Sequence, residues 1–158
     1  MESARPATPD DLADLSRLWA HAVSELEGQR GGGPLAGTLT RDDLAGWLTA
    51  ALADPDRRLY LGFVDGHAVG LGSLWADRDR PDPLGQLELV FVEPDFRKIG
   101  VAEAMVDLAM AQCQEWGMTG IDAPALPGNR NAKSFFEVHG FQARLLIMHR
   151  RLPVAGSD

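Results

Sequence analysis

Apolar positions along the chain fall into two rhythms. Leu12, Leu15, Leu18, Trp19, Ala22, Val23 and Leu26 recur at helical spacing. Thr8-Pro9-Asp10-Asp11 supplies the start signal: Thr8 caps, Pro9 suits the first turn, and Asp11 completes a capping box. Thr40-Arg41-Asp42-Asp43 repeats that pattern ahead of Leu44, Trp47, Leu48, Ala51 and Leu52, and Asp54-Pro55 ends this second helix. Between the two, residues 28–37 hold Gly31-Gly32-Gly33 and read as a flexible stretch. The rhythm then shortens. Residues 58–64 and 67–76 read as strands joined by the hairpin turn Asp65-Gly66. After a charged loop with Pro81 and Pro83, residues 86–92 form a strand. Simple alternation puts Leu87, Leu89 and Phe91 on one face, and Glu88, Val90 and Val92 on the other. A long helix is predicted from about Gly100 to Trp116, a strand over 119–125, a short helix over 129–138 stopped by Gly140, and a last strand over 141–152.

No repeat and no long linker interrupts this order, so residues 1–158 read as one α/β domain. Apolar residues make up 45% and charged residues 24%, which suits a chain with its own core. No stretch is long and apolar enough to span a bilayer. The opening Met-Glu-Ser-Ala-Arg-Pro lacks a basic flank ahead of an apolar run, which predicts no secretory leader. A single cysteine, Cys113, can form neither an internal disulfide nor a zinc cluster. The expectation is a cytoplasmic protein with no bound metal. The net charge of −8 argues against a nucleic-acid partner, which needs a basic face. The same charge is compatible with a cationic substrate.

Two segments carry chemistry. In Leu89-Val90-Phe91-Val92-Glu93-Pro94-Asp95-Phe96-Arg97-Lys98-Ile99-Gly100-Val101-Ala102, a strand ends in a turn and Arg-x-x-Gly-x-Ala opens the long helix. The first N–H groups of a helix lack internal partners and sit at the positive end of its dipole, a place suited to pyrophosphate. Gly100 removes the side chain that would block a phosphate, Ala102 is small, and Arg97 and Lys98 add positive charge to an acidic chain. Neither the Gly-Lys-Ser/Thr end of a nucleotide P-loop nor the triple-glycine dinucleotide fingerprint is present. The second segment is Asn129-Arg130-Asn131-Ala132-Lys133-Ser134-Phe135-Phe136-Glu137-Val138-His139-Gly140-Phe141.

Arg97-x-x-Gly100-x-Ala102 resembles the Gln/Arg-x-x-Gly-x-Gly/Ala motif of the GCN5-related N-acetyltransferase (GNAT) family. The second segment is similar to that family's Asn-x-x-Ala-x-x-Phe-Tyr-x-x-x-Gly-Phe stretch. The opening Ala4-Arg5-Pro6-Ala7-Thr8-Pro9-Asp10-Asp11-Leu12 is like its first strand and helix. The resemblance implies a mixed, mostly antiparallel sheet flanked by helices, with two central parallel strands, 86–92 and 119–125, splaying apart. It implies that the pantetheine arm of acetyl-CoA lies in the gap against backbone groups of Val90, Phe91 and Val92. The turn formed by Arg97, Lys98, Ile99, Gly100, Val101 and Ala102 would then hold the pyrophosphate. Asn129 would reach the pantetheine from the far side, and Phe136 would flank the thioester. Many relatives have tyrosine at the place of Phe136, where its hydroxyl protonates the departing thiolate. The only tyrosine here, Tyr60, lies in another strand.

Acetyl transfer to an amine requires the free base, and a carboxylate can take the proton. Glu88 is the candidate, since a carboxylate beside the thioester gap must be paired, hydrated or used. A salt bridge or a substrate-orienting contact is its other reading. His139, three residues after Phe136, reads as a helix-terminus residue, and Cys113 as core. Glu25, Glu27, Asp77, Asp79 and Asp82 would line an acidic acceptor mouth, or merely a solvated face. The function predicted is acetyl transfer from acetyl-CoA to a primary amine, either a small cationic molecule or a protein amine. The alternative is a non-catalytic acyl-CoA-binding module. A toxin acting on charged tRNA is disfavoured by the acidic balance. A homodimer is left open.

Overall fold

The hairpin at Asp65-Gly66 anchors the sheet. Both residues have positive φ, 48° and 83°, as a tight two-residue turn between right-twisted strands demands. The computed structural model describes residues 1–156. The turn joins β2 (Arg57–Val64) to β3 (His67–Asp77), and β4 (Leu84–Val92) follows antiparallel to β3. The strand expected at the start is β1 (Glu2–Pro6), antiparallel to β2. β5 (Gly120–Asp122) pairs parallel to β4, which completes a five-stranded mixed sheet in the order β1-β2-β3-β4-β5.

Helices cover both faces. On one lie α1 (Leu12–Glu27), α2 (Gly32–Leu39) and α3 (Leu44–Ala53). Leu15, Leu18, Trp19, Leu39 and Leu48 pack there against Leu59, Leu61, Leu71, Leu89 and Phe91. On the other lies α4 (Val101–Glu115), whose Val101, Met105, Val106, Ala109 and Cys113 pack with Tyr60, Leu74, Leu87 and Val92. The strand glycines explain how closely α4 sits. A Cβ on Gly62 would come within 2.4 Å of Val101 Cγ1, and one on Gly70 within 2.9 Å of Met105 Cε. Cys113 sits against Gly85 in the same way, and burial pushes its thiol up to about 11, so its role is packing. The short helix α5 (Arg130–Val138) lays Phe135 and Phe136 on the edge of this second core.

The first capping box forms as read. Thr8 N–H donates to Asp11 Oδ2 at 2.8 Å, and one helical turn of 3-10 type precedes α1. Arg5 from β1 grips Asp11 at 2.7 Å and holds its carboxyl down at about 2. Four other expectations change. The glycine-rich stretch contains α2, because Gly31 takes the left-handed turn (φ 76°) and Ala36 and Leu39 have a core to bury in. Thr40 therefore ends α2, and Asp43, accepting from Gly46 N–H at 3.0 Å, caps α3. β5 is shorter than 119–125, since Pro124 has no N–H to extend the ladder. The strand expected over 141–152 does not form: its main chain makes no ladder hydrogen bonds to the sheet, and a lone strand leaves its main-chain groups unpaired.

Candidate active site

β4 pairs with β5 only from Leu84 to Gln86, opposite Gly120 to Asp122. Beyond that point the two parallel strands part. A cavity of about 910 Å³ occupies the gap, within the usual range for a small-molecule site. Val90, Phe91 and Val92 line one wall, and Asn129 and Phe136 the other. Arg97, Lys98, Gly100 and Ala102 line its end at the start of α4. Of the positions expected at this turn, Ile99 points to solvent at 47% exposure and the Val101 side chain is core, so only their main chain can serve the site.

Local sequence explains the turn. Lys98 (φ 66°) and Gly100 (φ 98°) both adopt positive φ, which reverses the chain sharply before Val101 begins the helix. The N–H groups of Val101, Ala102 and Glu103 then have no helical acceptor, and Gly100, Ala102 and Glu103 line the cavity end. A Cβ on Gly100 would fall 3.3 Å from Glu2 Cγ. Arg97 is held in place twice. Its Nε donates to the Val92 carbonyl at 2.8 Å, and an Nη donates to Glu25 Oε2 on α1 at 2.5 Å. Pyrophosphate fits this end by its chemistry: open helix N–H groups, no obstructing side chain, and two cations.

The opposite end departs from the expected geometry at Glu88. Register slips by one residue between Ser73↔Leu89 and Leu74↔Leu87, so Glu88 is the extra residue of a β-bulge. Leu89 and Phe91 stay on the α1–α3 face, whereas Leu87 joins Val90 and Val92 on the α4 face. Simple alternation put Glu88 with Val90 and Val92; the bulge turns its carboxylate to the other side. There the Arg57 guanidinium and the Ser73 hydroxyl, the latter at 2.7 Å, both donate to Oε1. Arg57 also lies over the Trp47 ring at 4.8 Å, and Trp47 in turn packs on Trp19. Oε2 keeps no hydrogen-bond partner among the described residues. Glu88 lines a smaller cavity of about 80 Å³, walled by Gln29, Leu35 and residues 124–126. The two cavities share Gln29, Val90, Leu126, Asn129, Ala132 and Phe136, so the small one opens beside the large one.

Asn129 caps α5, its Oδ1 accepting from Ala132 N–H at 3.0 Å. Phe136 packs edge-on to Phe135 and against Phe141, and it touches both cavities. Tyr60 cannot stand in for a hydroxyl here. It is buried on the α4 side, lines neither cavity, and burial pushes its phenol well above the usual range. His139 ends α5 and lies 3.7 Å from Glu103, in keeping with a helix-terminus role. Of the acidic residues expected around the acceptor mouth, Glu25 alone lines a cavity; Glu27, Asp77, Asp79 and Asp82 do not. The sequence offered no signal for Arg57, Ser73 or Gln29, which only the folded sheet and the turn after α1 bring to the site.

Several solved structures share this fold. Aminoglycoside acetyltransferase AAC(6′)-Iy, solved with a bisubstrate analogue, matches at TM-score 0.72 and 18% identity, over 96% of this chain and 99% of that one. A predicted acetyltransferase from Clostridium acetobutylicum, solved with acetyl-CoA, matches at TM-score 0.70 and 17% identity, over 96% of each chain. AAC(6′)-Ih from Acinetobacter baumannii matches at TM-score 0.70 and 16% identity, over 98% of this chain and all of that one. No curated protein matches the chain by sequence. The model of the acetyltransferase (GNAT) family matches residues 17–141, which run from within α1 through the splayed strands and the turn before α4 to the end of α5. With that match over most of its length, the chain belongs to the GNAT acetyltransferase family.

Proposed function

We propose that the protein moves an acetyl group from acetyl-CoA to a primary amine by direct attack, with no acyl-enzyme formed. One arrangement carries this reading: the Glu88 carboxylate at the wall of a small cavity that shares part of its lining with the larger one. Acetyl-CoA, when bound, supplies an activated thioester. The main chain of Val90, Phe91 and Val92 holds the pantetheine arm, and the turn from Arg97 to Ala102 holds the pyrophosphate. Asn129 keeps its Nδ2 amide for the same arm while Oδ1 caps the helix. Arg57 and Ser73 hold Glu88 by Oε1, so Oε2 is presented to the amine and takes its proton directly or through one water.

A small cationic amine is the acceptor best supported. The Glu88 carboxylate keeps Oε2 free at the small cavity, and aminoglycoside acetyltransferases share the fold. A protein N-terminus or lysine is the other acceptor class. Release of CoA thiol, measured across polyamines, aminoglycosides and peptide amines, tests the proposal. Turnover with at least one small cationic amine is expected. Tight acetyl-CoA binding with no thiol release from any amine would favour the second reading, a non-catalytic acyl-CoA-binding module, which Phe136 specifically motivates.

Phe136→Tyr gives a further check. The ring lies at the junction of the cavities, so an added hydroxyl has room to project into one of them. The expected outcome is an unchanged fold, acetyl-CoA affinity within about threefold, and equal or higher turnover. The gain stays at about tenfold or below, because a thiolate leaves with little help from an acid. A large loss in steady-state turnover would instead assign the phenyl ring to acyl or acceptor selection.

A further inference from the structure

Gln29 lies in the turn between α1 and α2, and the reaction proposed above leaves it unused. Its main chain is fixed there: the N–H donates to the Leu26 carbonyl at 3.1 Å, and the carbonyl accepts from Gly32 N–H at 2.9 Å. Its side-chain Nε2 donates to Glu25 Oε1 at 3.2 Å, and the other oxygen of Glu25 is held by Arg97. These contacts settle which end of the amide is which, because a flipped amide would set its carbonyl oxygen against the Glu25 carboxylate. The carbonyl oxygen Oε1 is buried and accepts no hydrogen bond from any described residue. Buried acceptors without a donor are rare and costly in folded chains. Gln29 lines both cavities. In the smaller one it shares the wall with Glu88, whose Oε2 is likewise without a partner among the described residues.

We propose that Gln29 Oε1 binds the acceptor amine, accepting one of its two N–H groups while Glu88 Oε2 accepts the other. This rests on the transfer reaction proposed above and gives a residue-level reason for taking an unsubstituted primary amine. A neutral primary amine has two N–H bonds and one lone pair. With both N–H groups held by oxygens, the lone pair is left for the thioester carbonyl carbon. That pair forms the new N–C bond, and the C–S pair leaves with sulfur as the CoA thiolate. Glu88 takes the proton it already holds by hydrogen bond, and the second N–H stays on the product amide, donated to Gln29. An N-methyl amine has one N–H, which Glu88 needs. Its methyl group then faces Oε1 and leaves that oxygen orphaned. A site built around an N–H rejects an analogue without it for this reason.

Thiol release and calorimetry on the full chain test this. The substrates are the most reactive primary amine of the panel above and its counterpart methylated on the reacting nitrogen. The wild type is expected to prefer the primary amine by about tenfold or more in kcat/KM. Gln29→Met keeps an unbranched side chain of similar length and loses the carbonyl acceptor. It is expected to lower kcat/KM about tenfold for the primary amine and less than about twofold for the methylated one. The preference then falls to within about threefold, while acetyl-CoA affinity stays within about threefold of wild type. Gln29→Leu should give the same collapse of preference. A purely structural Gln29 would lower both rates alike and leave the preference unchanged, which would overturn the proposal. So would weakened acetyl-CoA binding with the preference intact, which would assign Oε1 to a pantetheine amide. Unfolding of both variants, seen by circular dichroism, would overturn it too. Wild-type turnover with no primary preference fails the Gln29 contact alone. No thiol release from any primary amine fails the transfer reaction itself, and the contact with it.

Discussion

Replacing Gly100 with aspartate is expected to remove acetyl-CoA binding while leaving the chain folded. Gly100 immediately precedes α4 with φ 98°, where the helix N–H groups are open. An aspartate there starts its side chain 3.3 Å from Glu2 Cγ and adds a second negative charge beside the open N–H groups. At about 4 Å and an effective dielectric near 20, like charges repel by about 4 kcal/mol, on the order of a thousandfold in affinity. Two smaller effects act on stability in opposite directions. The positive φ costs an L-residue about 1–2 kcal/mol. An acidic N-cap returns part of this by accepting from the first helical N–H groups. Gly100→Ala separates the two effects, because it brings the backbone strain without the charge. Calorimetry should show one acetyl-CoA per wild-type chain, a modest loss for alanine and no measurable binding for aspartate. Wild-type affinity in the folded aspartate variant would place the pyrophosphate elsewhere.

Glu88→Gln is expected to lower turnover by roughly 10²-fold or more, the usual cost of losing a general base, with acetyl-CoA affinity preserved. The amide is the same size, and its carbonyl oxygen can still accept from Arg57 and Ser73. What disappears is the negative charge and the capacity to take a proton at the second oxygen. Glu88 lines only the smaller cavity, so the donor's binding surface is left intact. Thiol release at saturating acetyl-CoA, paired with calorimetry, distinguishes the roles. An unchanged turnover number with a lowered melting temperature would make Glu88 a structural partner of Arg57, and the amine's proton would then go directly to water.

Most of the turn that opens α4 was legible in the residues themselves. The turn before α4 needs a glycine at positive φ, a small residue next to it and cations nearby, and Arg97 to Ala102 are contiguous. The hairpin at Asp65-Gly66, the Thr8 capping box and the amphipathic α4 are likewise local. Each depends on atoms a few residues apart, and local chemistry is written in local sequence. The first strands and both capping signals follow the same rule, apart from Thr40, whose competitor Asp43 won because α2 continued up to it.

The acceptor side was decided by the tertiary structure. Strict alternation put Glu88 on the α4 face, and a one-residue slip against Ser73 and Leu74 turned it to the α1–α3 face. A bulge is a property of two strands together, so no periodicity in one of them reveals it. Arg57 and Ser73, which hold Glu88, come from β2 and β3, and their meeting depends on sheet register. The same reason governs the two elements that departed furthest from expectation. The glycine-rich segment became α2 because Ala36 and Leu39 found a core to bury in. Residues 141–152, with the stronger strand pattern, remained without a strand because their main chain pairs with no strand of the sheet, although Arg144 reaches Asp122 on β5. Sequence by itself determined most of the elements and the glycine turn that opens α4; pairing between distant strands determined where the carboxylate points and which edge of the sheet is left open.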